Sequence, residues 1–364
     1  MDELLTAASA AMGTTLAPLE ELGSGERSAV MRCRVPHGGT VVVKSFPASD
    51  LGRQNFAAET AGLALAGEAG VAPRILAASQ HSLLVVMTDL GAGPSLADLL
   101  LGNDAAAAQT GLLAWSRGCG ELALAAAGRE AEFTSSGWLE RRLGEIPGLL
   151  ATLSIPAPAG LDDDLADVAS VLRPGLCPVF SPGDICPDNN VLTRDGARFV
   201  DFESAEFHAA FLDAAYLRMP FSTCWCAFRL PDRLGRRAEA EYRDLVSQIH
   251  PDLADDRVWL PGVRRAVAAW TLHAMTYLLD RAIKADKSMI YDDRVAPTRR
   301  QLLRYRWQRL LTELEAGSED DPASAGPQLP ALRALAAWLL ASTERWQVPD
   351  LPVYPAFLAS SGNS

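Results

Sequence analysis

The sequence predicts an α+β protein of two lobes, with a small antiparallel sheet and one helix in the N-terminal lobe and a larger, mainly helical C-terminal lobe. Three observations favour this fold class. The β-rich runs are concentrated in the first ninety residues, and the chain beyond Gly93 is helical and alanine-rich. In addition, a chain of 364 residues is too long to fold around one ordinary hydrophobic core. We therefore expect the lobes to be residues 1–90 and 91–364.

The composition is that of a globular protein, with 49% apolar and 21% charged residues. The net charge of −12 argues against a nucleic-acid partner, because binding a phosphate backbone requires clustered Lys and Arg. That charge is compatible with a cationic substrate, although acidic surfaces also serve solubility. The start, MDELLTAASA, is acidic where a secretory signal is basic, and no run of eighteen apolar residues occurs. We expect a cytoplasmic protein without a membrane partner, and the sequence leaves the oligomeric state open.

Six cysteines are scattered along the chain, which favours reduced thiols over a disulfide framework. Cys224 and Cys226 are one residue apart, without a second Cys/His pair at zinc spacing. We expect both to be thiols of the core.

The N-terminal lobe begins with a predicted hairpin, VMRCRV and TVVVKSF, joined by a Pro/Gly turn. A helix is predicted from Asp50, because Phe56, Leu63 and Ala66 recur at helical spacing. The apolar run LLVVMTDL, residues 83–90, predicts a further strand. These elements together predict a mixed sheet with a packed helix.

Lys44 ends the apolar run VVV, where a lysine either keeps an edge strand soluble or binds phosphate. Glu59 falls on the apolar side of the predicted helix, between Phe56 and Leu63. A buried carboxylate is costly without a cation, so Lys44 is its natural partner. A lysine on a strand paired with a glutamate on a helix is the arrangement that directs a lysine toward nucleotide phosphates.

Gly23 and Gly25 lie in the segment LGSGERSAV, just before the first hairpin strand. Glycines there can adopt positive φ and let backbone amides approach phosphates closely. An ordinary loop would carry the same pattern, so this motif depends on its context with Lys44.

One β-rich island, SPGDICPDNNVLTRDGARFVDFE, interrupts the helical C-terminal lobe. Its Asp195-Gly196 pair predicts a hairpin, which brings Asn189 and Asp201 together at the outer ends. Converging amide and carboxylate oxygens suit Mg²⁺, and Asp184, five residues before Asn189, could accept the proton of an attacking hydroxyl. The alternative is that these acids merely flank a turn or cap a helix.

These motifs together resemble the aminoglycoside phosphotransferase and choline kinase-like family, a branch of the protein-kinase-like fold. The resemblance covers about residues 22–217 and is strongest in PGDICPDNNVL with VDFE, which look like the family's catalytic loop HGD-x-x-x-x-N and its metal motif. It implies Asp184 as catalytic base, Asn189 and Asp201 as Mg²⁺ ligands, and Lys44, held by Glu59, on the α/β-phosphates.

The segment MTDLG looks like the family's hinge between lobes, which implies that Met87, Thr88, Asp89 and Leu90 hold the nucleotide base. Asp213, in FLDAAY, resembles the structural aspartate on the helix beneath the catalytic loop.

Two positions depart from the family pattern, since Pro182 replaces the histidine before Gly-Asp and Thr88 stands where an acid is frequent. The resemblance implies a kinase that moves the γ-phosphate of ATP or GTP to the hydroxyl of a small molecule, as aminoglycoside, choline and homoserine kinases do. The alternatives are a weak or inactive nucleotide-binding protein and a protein kinase, although no A-P-E signature follows the metal motif.

The acceptor stays open from the sequence. The C-terminal region offers many candidate acids without a decisive grouping, including Asp280, Asp292, Asp293 and Asp321, and each is better explained as a solvated surface charge.

Overall fold

The computed structural model describes residues 2–25, 27–133, 136–219, 221, 224–290, 296–315 and 326–362. The strands in these ranges are β1 (Ala17–Ser24), β2 (Ala29–Arg34), β3 (Thr40–Ser45), β4 (Ile75–Ser79), β5 (Leu84–Thr88), β6 (Pro178–Ser181), β7 (Asn190–Thr193), β8 (Gly196–Phe199) and β9 (Glu206–Ala209). The α-helices in these ranges are α1 (Asp2–Met12), α2 (Asp50–Glu68), α3 (Leu96–Leu101), α4 (Ala105–Ala125), α5 (Trp138–Gly144), α6 (Ile146–Thr152), α7 (Leu161–Ala169), α8 (Ala210–Arg218), α9 (Asp232–Ile249), α10 (Asp256–Lys284), α11 (Arg299–Glu315) and α12 (Pro330–Ser342).

The N-terminal strands form one antiparallel sheet in the order β1-β2-β3-β5-β4. Lys44 on β3 pairs with Val30 on β2 and with Val85 on β5, which places it in the middle of the sheet rather than at an edge. The sheet is covered on both faces, because α1 packs on one side and α2 on the other. The predicted hairpin, helix and strand are confirmed, and α1 adds a helix that the sequence pattern did not indicate.

Helix α2 begins where the sequence predicts it. The Ser49 hydroxyl accepts a hydrogen bond from the Gly52 N–H at 3.0 Å, which satisfies one of the free amides at the helix start. The buried face of α2 carries Phe56, Leu63 and Glu59, so a carboxylate lies among apolar residues as predicted.

The C-terminal part is mainly helical. Helices α4 and α9 pack against each other, and α10 packs between α8 and α11. The predicted apolar stripe of α10 is buried throughout: Val267, Trp270, Thr271, Ala274 and Leu278. None of the helices within the described ranges is long and apolar enough to cross a membrane.

Two short strand pairs position the central loops of this part. The hairpin β7–β8 closes with Thr193 opposite Gly196, as the Asp-Gly pair predicts. Strand β6 pairs with β9, which follows it by more than twenty residues, so that both ends of the island are fixed together. The α+β fold class predicted from the sequence is therefore confirmed.

Candidate functional site

Lys44 is the centre of a buried ionic cluster between the two parts of the chain. Its ammonium donates to Glu59 Oε2 at 2.8 Å and to Asp201 Oδ1 at 2.7 Å. Glu59 Oε2 also accepts from the Phe202 backbone N–H at 2.8 Å. The strand, the helix and the β8 end are thereby joined through one lysine, and the alternative of an exposed edge-strand lysine is wrong.

The charges of this cluster shift one another's pKa. Burial alone would lower the pKa of Lys44, but the Glu59 and Asp201 carboxylates together raise it, so the side chain stays an ammonium. Burial raises the pKa of Glu59 to about 7, against the opposing effect of the Lys44 charge. A cation held firmly at the base of a cleft is what an anionic ligand requires.

The loop after β6 brings Asp184 and Asn189 together. The Asn189 Nδ2 donates to the Asp184 carbonyl at 3.0 Å, and the Val200 N–H donates to the Asn189 carbonyl at 3.3 Å. The first bond fixes the Asn189 amide group, and the second ties the loop to the residue before Asp201. The structure thus gathers Asp184, Asn189 and Asp201 at the outer ends of the β7–β8 hairpin.

A cavity of about 290 Å³ opens beside this cluster. Its lining residues include Lys44, Asn189 and Asp201 at one end, and the four predicted hinge residues: Met87, Thr88, Asp89 and Leu90. Valines 30, 42, 191 and 200 provide apolar walls. The cavity therefore combines an apolar slot along the hinge with a charged end, which suits a planar base joined to phosphates.

The hinge is fixed by polar contacts. Thr88 and Arg74 exchange two hydrogen bonds, in which each backbone N–H of the pair is the donor. The Asp89 carboxylate accepts from Arg32 at 2.7 Å and from the Gly91 N–H at 2.9 Å. Thr88 thus has a structural role where the family often has an acid.

The glycine segment differs from the prediction. Gly23 lies within β1 and Gly25 directly after it, and neither adopts the positive φ that we expected. Leu22 and Ser28, rather than the glycines, line the cavity. Gly23 is held in the strand by its pairing with Val30 on β2, and the Gly25 N–H donates to the Ser28 carbonyl at 3.0 Å.

Arg27 and Glu203 are site residues that the sequence reasoning missed. Arg27, on the turn between β1 and β2, lies 2.7 Å from Glu203 Oε1, although its own side chain is 62% exposed. The other oxygen, Glu203 Oε2, is buried without a hydrogen-bond partner among the described residues and lies 3.9 Å from Lys44 Nζ. The D-x-E spacing from Asp201 could have pointed to Glu203, whereas no local pattern indicates its contact with Arg27.

His208 was also missed, and it contacts the predicted structural aspartate. Asp213 on α8 is buried and accepts from the Ser181 hydroxyl at 3.2 Å, while His208 Nε2 lies 2.8 Å from the same oxygen. The Ser181 hydroxyl in turn accepts from the Gly183 N–H at 3.2 Å. A histidine on β9 therefore joins the network beneath the loop in which Pro182 replaces the usual histidine.

The expectation of six reduced thiols is wrong for two cysteines. Cys186 and Cys224 form a disulfide, with Cα atoms 5.6 Å apart and a sequence separation of 38. The pairing was not foreseen because only the fold brings residue 224 beside the loop. Among the other cysteines, Cys226 is a buried thiol outside the disulfide, as predicted.

A second, larger cavity of about 670 Å³ lies between α5, β9 and the segment before β6. It borders the loop at Gly183, but in the described part of the chain it is lined neither by Asp184 nor by the residues of the first cavity. It therefore carries no assignment of the acceptor. Of the four candidate acids, Asp280 is exposed and pairs with Lys284, and Asp292, Asp293 and Asp321 lie outside the described residues.

The donor atoms at the charged end fit a magnesium ion. Asp201 contributes a carboxylate, and Asn189 an amide oxygen, since its nitrogen is engaged by the Asp184 carbonyl. Mg²⁺ takes one or two such protein oxygens and completes its shell with water and phosphate. The unpartnered oxygen of Glu203 nearby is a further hard donor.

No family model matches the sequence, and no curated protein does. Solved structures do match. A choline/ethanolamine kinase family protein from Mesorhizobium loti is 18% identical with a TM-score of 0.52, covering 87% of this chain and 93% of its own. A Ralstonia eutropha protein assigned to the aminoglycoside phosphotransferases is 14% identical with a TM-score of 0.51, covering 93% and 98%. The ADP-bound aminoglycoside phosphotransferase APH(2'')-Ib is 13% identical with a TM-score of 0.50, covering 78% and 94%.

The sheet, the helices and the cleft define a protein with the two-lobed, protein-kinase-like fold. Within that class the chain has the fold of choline kinase family proteins and aminoglycoside phosphotransferases. The resemblance stated from the sequence is thus confirmed at the level of the fold.

Proposed function

We propose that the chain is a magnesium-dependent phosphotransferase that moves the γ-phosphate of ATP or GTP to a hydroxyl of a small molecule. One observation carries the proposal: Lys44, Asn189 and Asp201 line one end of a cavity whose other end is the hinge. The similar structures, which include choline kinase family proteins and an ADP-bound phosphotransferase, support the same class of reaction.

Each residue has a role that follows from its position. The hinge from Met87 to Leu90 holds the base, and Lys44, kept in place by Glu59, binds the α/β-phosphates. Asn189 and Asp201 would hold Mg²⁺, which neutralises charge on the phosphates when bound. Gly23 and Gly25, at the end of β1 and directly after it, would let the backbone there approach the phosphates.

Asp184 acts on the acceptor. Its carboxylate orients the hydroxyl and takes its proton as the oxygen attacks phosphorus, and the nucleoside diphosphate leaves. The Asn189 contact fixes the Asp184 backbone, and Ser181 and Asp213 fix the loop before it. This division into a nucleotide lobe of residues 1–90 and a catalytic lobe of residues 91–364 is part of the proposal.

The test is nucleotide turnover with a broad panel of acceptors. Aminoglycosides, other antibiotics, amino alcohols, sugars and nucleosides would be screened with ATP and with GTP, with and without Mg²⁺. We expect acceptor-dependent release of nucleoside diphosphate that requires Mg²⁺. Magnesium-dependent nucleotide binding without turnover over the whole panel would favour the second candidate, an inactive nucleotide-binding protein, for which the replacement of the loop histidine by Pro182 is the specific observation.

A further inference from the structure

The cations that line the cavity are all paired with carboxylates. Among the described residues, the cations that line the cavity are Lys44 and Arg32. Arg32 is already engaged by Asp89 at 2.7 Å and by Glu20 at 2.5 Å. Lys44 is engaged by Glu59 and Asp201. Both lining cations are thus held by carboxylates and are largely buried, whereas Arg27, which pairs with Glu203, has a side chain that is 62% exposed.

Arg27 is placed to contribute a further positive charge beside the cavity. It lies on the β1–β2 turn, next to Ser28, which lines the cavity, and its guanidinium reaches Glu203, two residues after Asp201. The contact thus joins the turn above the cleft to the metal motif below it. Carboxylate and phosphate present similar pairs of oxygens to a guanidinium, so an arginine can exchange one for the other.

We propose that Arg27 is a phosphate-binding residue of this site, held over the cleft by Glu203 until a metal-bound nucleoside triphosphate enters and then donating to its terminal phosphates. The inference rests on the proposed function and adds a residue to it. Lys44 binds the phosphates from β3, and Arg27 binds them from the turn between β1 and β2. An exposed side chain can make this exchange because it is free to move, whereas Lys44 is 4% exposed and fixed.

The test compares Arg27→Met with Arg53→Met, a matched control on α2 whose side chain is 58% exposed and pairs with Asp50. Binding of the β,γ-imido analogues of ATP and GTP with Mg²⁺ would be measured by calorimetry, beside adenosine and guanosine. A charge-assisted hydrogen bond to phosphate predicts about tenfold to hundredfold weaker analogue binding for Arg27→Met. The nucleoside affinities and the Arg53→Met variant should match the wild type.

A double-mutant cycle distinguishes phosphate binding by Arg27 from a purely structural role through its ion pair with Glu203. If Arg27 contacts phosphate, Arg27→Met still weakens analogue binding about tenfold or more when Glu203→Gln is already present. If Arg27 acts only by pairing with Glu203, its substitution costs nothing in that background, and the inference is overturned. Analogue binding by Arg27→Met within about twofold of the wild type would overturn it as well.

The same binding measurements distinguish a failure of the proposed function from a failure of the inference about Arg27. A wild-type protein that binds neither analogue contradicts the proposed function and the inference together. Tight analogue binding that is indifferent to Arg27 removes the inference alone.

Discussion

At the scale of single residues, the proposed function assigns the chemical step to Asp184, whose backbone carbonyl accepts a hydrogen bond from the Asn189 side chain. Asp184→Ala should lower turnover about 10²- to 10⁴-fold, the usual contribution of a positioned base. Nucleotide affinity should change little, because Asp184 does not line the nucleotide cavity within the described residues. Steady-state turnover and analogue binding check this, and turnover near that of the wild type would remove Asp184 from the mechanism.

The proposed function assigns Asp201 to the metal ion rather than to the acceptor. Asp201→Ala removes a carboxylate that faces the cavity and a partner of Lys44 at 2.7 Å. It should weaken magnesium-dependent analogue binding by about tenfold or more. Titrations at several Mg²⁺ concentrations measure the effect, and an unchanged magnesium dependence would contradict the assignment.

The contribution of His208 to stability should depend on pH in a defined direction. Burial alone would lower the pKa of His208, but the Asp213 carboxylate, with Glu206 nearby, raises it above its usual value. Its pairing therefore stabilises the fold fully below about pH 6.5, and this stability is lost as the pH rises through the raised pKa. His208→Gln should cost about 1.5–3 kcal/mol at low pH and less at high pH. Urea unfolding of both proteins at pH 6 and pH 8.5 checks it, and a cost that grows with pH would show the sign to be wrong.

The sequence indicated some site residues and not others, for a physical reason. Lys44, Glu59, Asn189 and Asp201 could be proposed because residue type and local spacing restrict what such residues do. Partnerships such as that of Arg27 with a residue 176 positions later exist only in the fold. No local pattern encodes them.

At the scale of elements, α2 packs closely against Phe202, the residue that follows Asp201. A Cβ on Gly62 would come within 2.8 Å of the Phe202 side chain, which follows Asp201. Gly62→Ala should therefore displace Phe202 or α2 and destabilise the protein by about 1–3 kcal/mol, the usual cost of overpacking.

Gly148→Ala is the matched control for that substitution. Gly148 lies in α6, and a Cβ there meets no atom within 4 Å. The change should leave stability equal or raise it by about 0.5–1 kcal/mol, the helix preference of Ala over Gly. Thermal unfolding of the two variants checks both, and equal melting temperatures would contradict tight packing at Gly62.

The disulfide joins the loop of Asp184 to the segment after α8. Closing a loop between Cys186 and Cys224 should stabilise the protein by about 2–4 kcal/mol. Adding dithiothreitol should lower the melting temperature of the wild type but not that of a Cys186→Ser/Cys224→Ser variant. Equal sensitivity of the two proteins would show that the bond is not formed.

Elements closed by local turns could be predicted from the sequence, as the β2–β3 and β7–β8 hairpins show. The pairing of β6 with β9 could not, because their runs are four residues each and far apart along the chain. Helix α1 was missed because its short alanine-rich pattern does not indicate which surface it packs against. Only the fold shows that α1 covers one face of the N-terminal sheet.

At the scale of the whole molecule, the two parts share one continuous apolar core. Leu63 and Ala66 of α2 belong to the same buried cluster as Phe199, Phe202 and the helices of the C-terminal part. The lobe boundary at residue 90, just beyond the end of β5, remains a prediction. The shared core and the ion pair at 2.7 Å fix Lys44 relative to Asp201, whereas the Arg27 side chain on the β1–β2 turn is exposed.

The account depends on one cleft holding a metal-bound triphosphate between these residues. The most direct measurement is a crystal structure with a β,γ-imido nucleotide and Mn²⁺ in place of Mg²⁺, with the metal located by anomalous scattering. We predict a metal bound by Asn189 and Asp201, phosphates next to Lys44, and the base along residues 87–90. A nucleotide outside this cleft, or a metal that contacts neither Asn189 nor Asp201, would contradict the account.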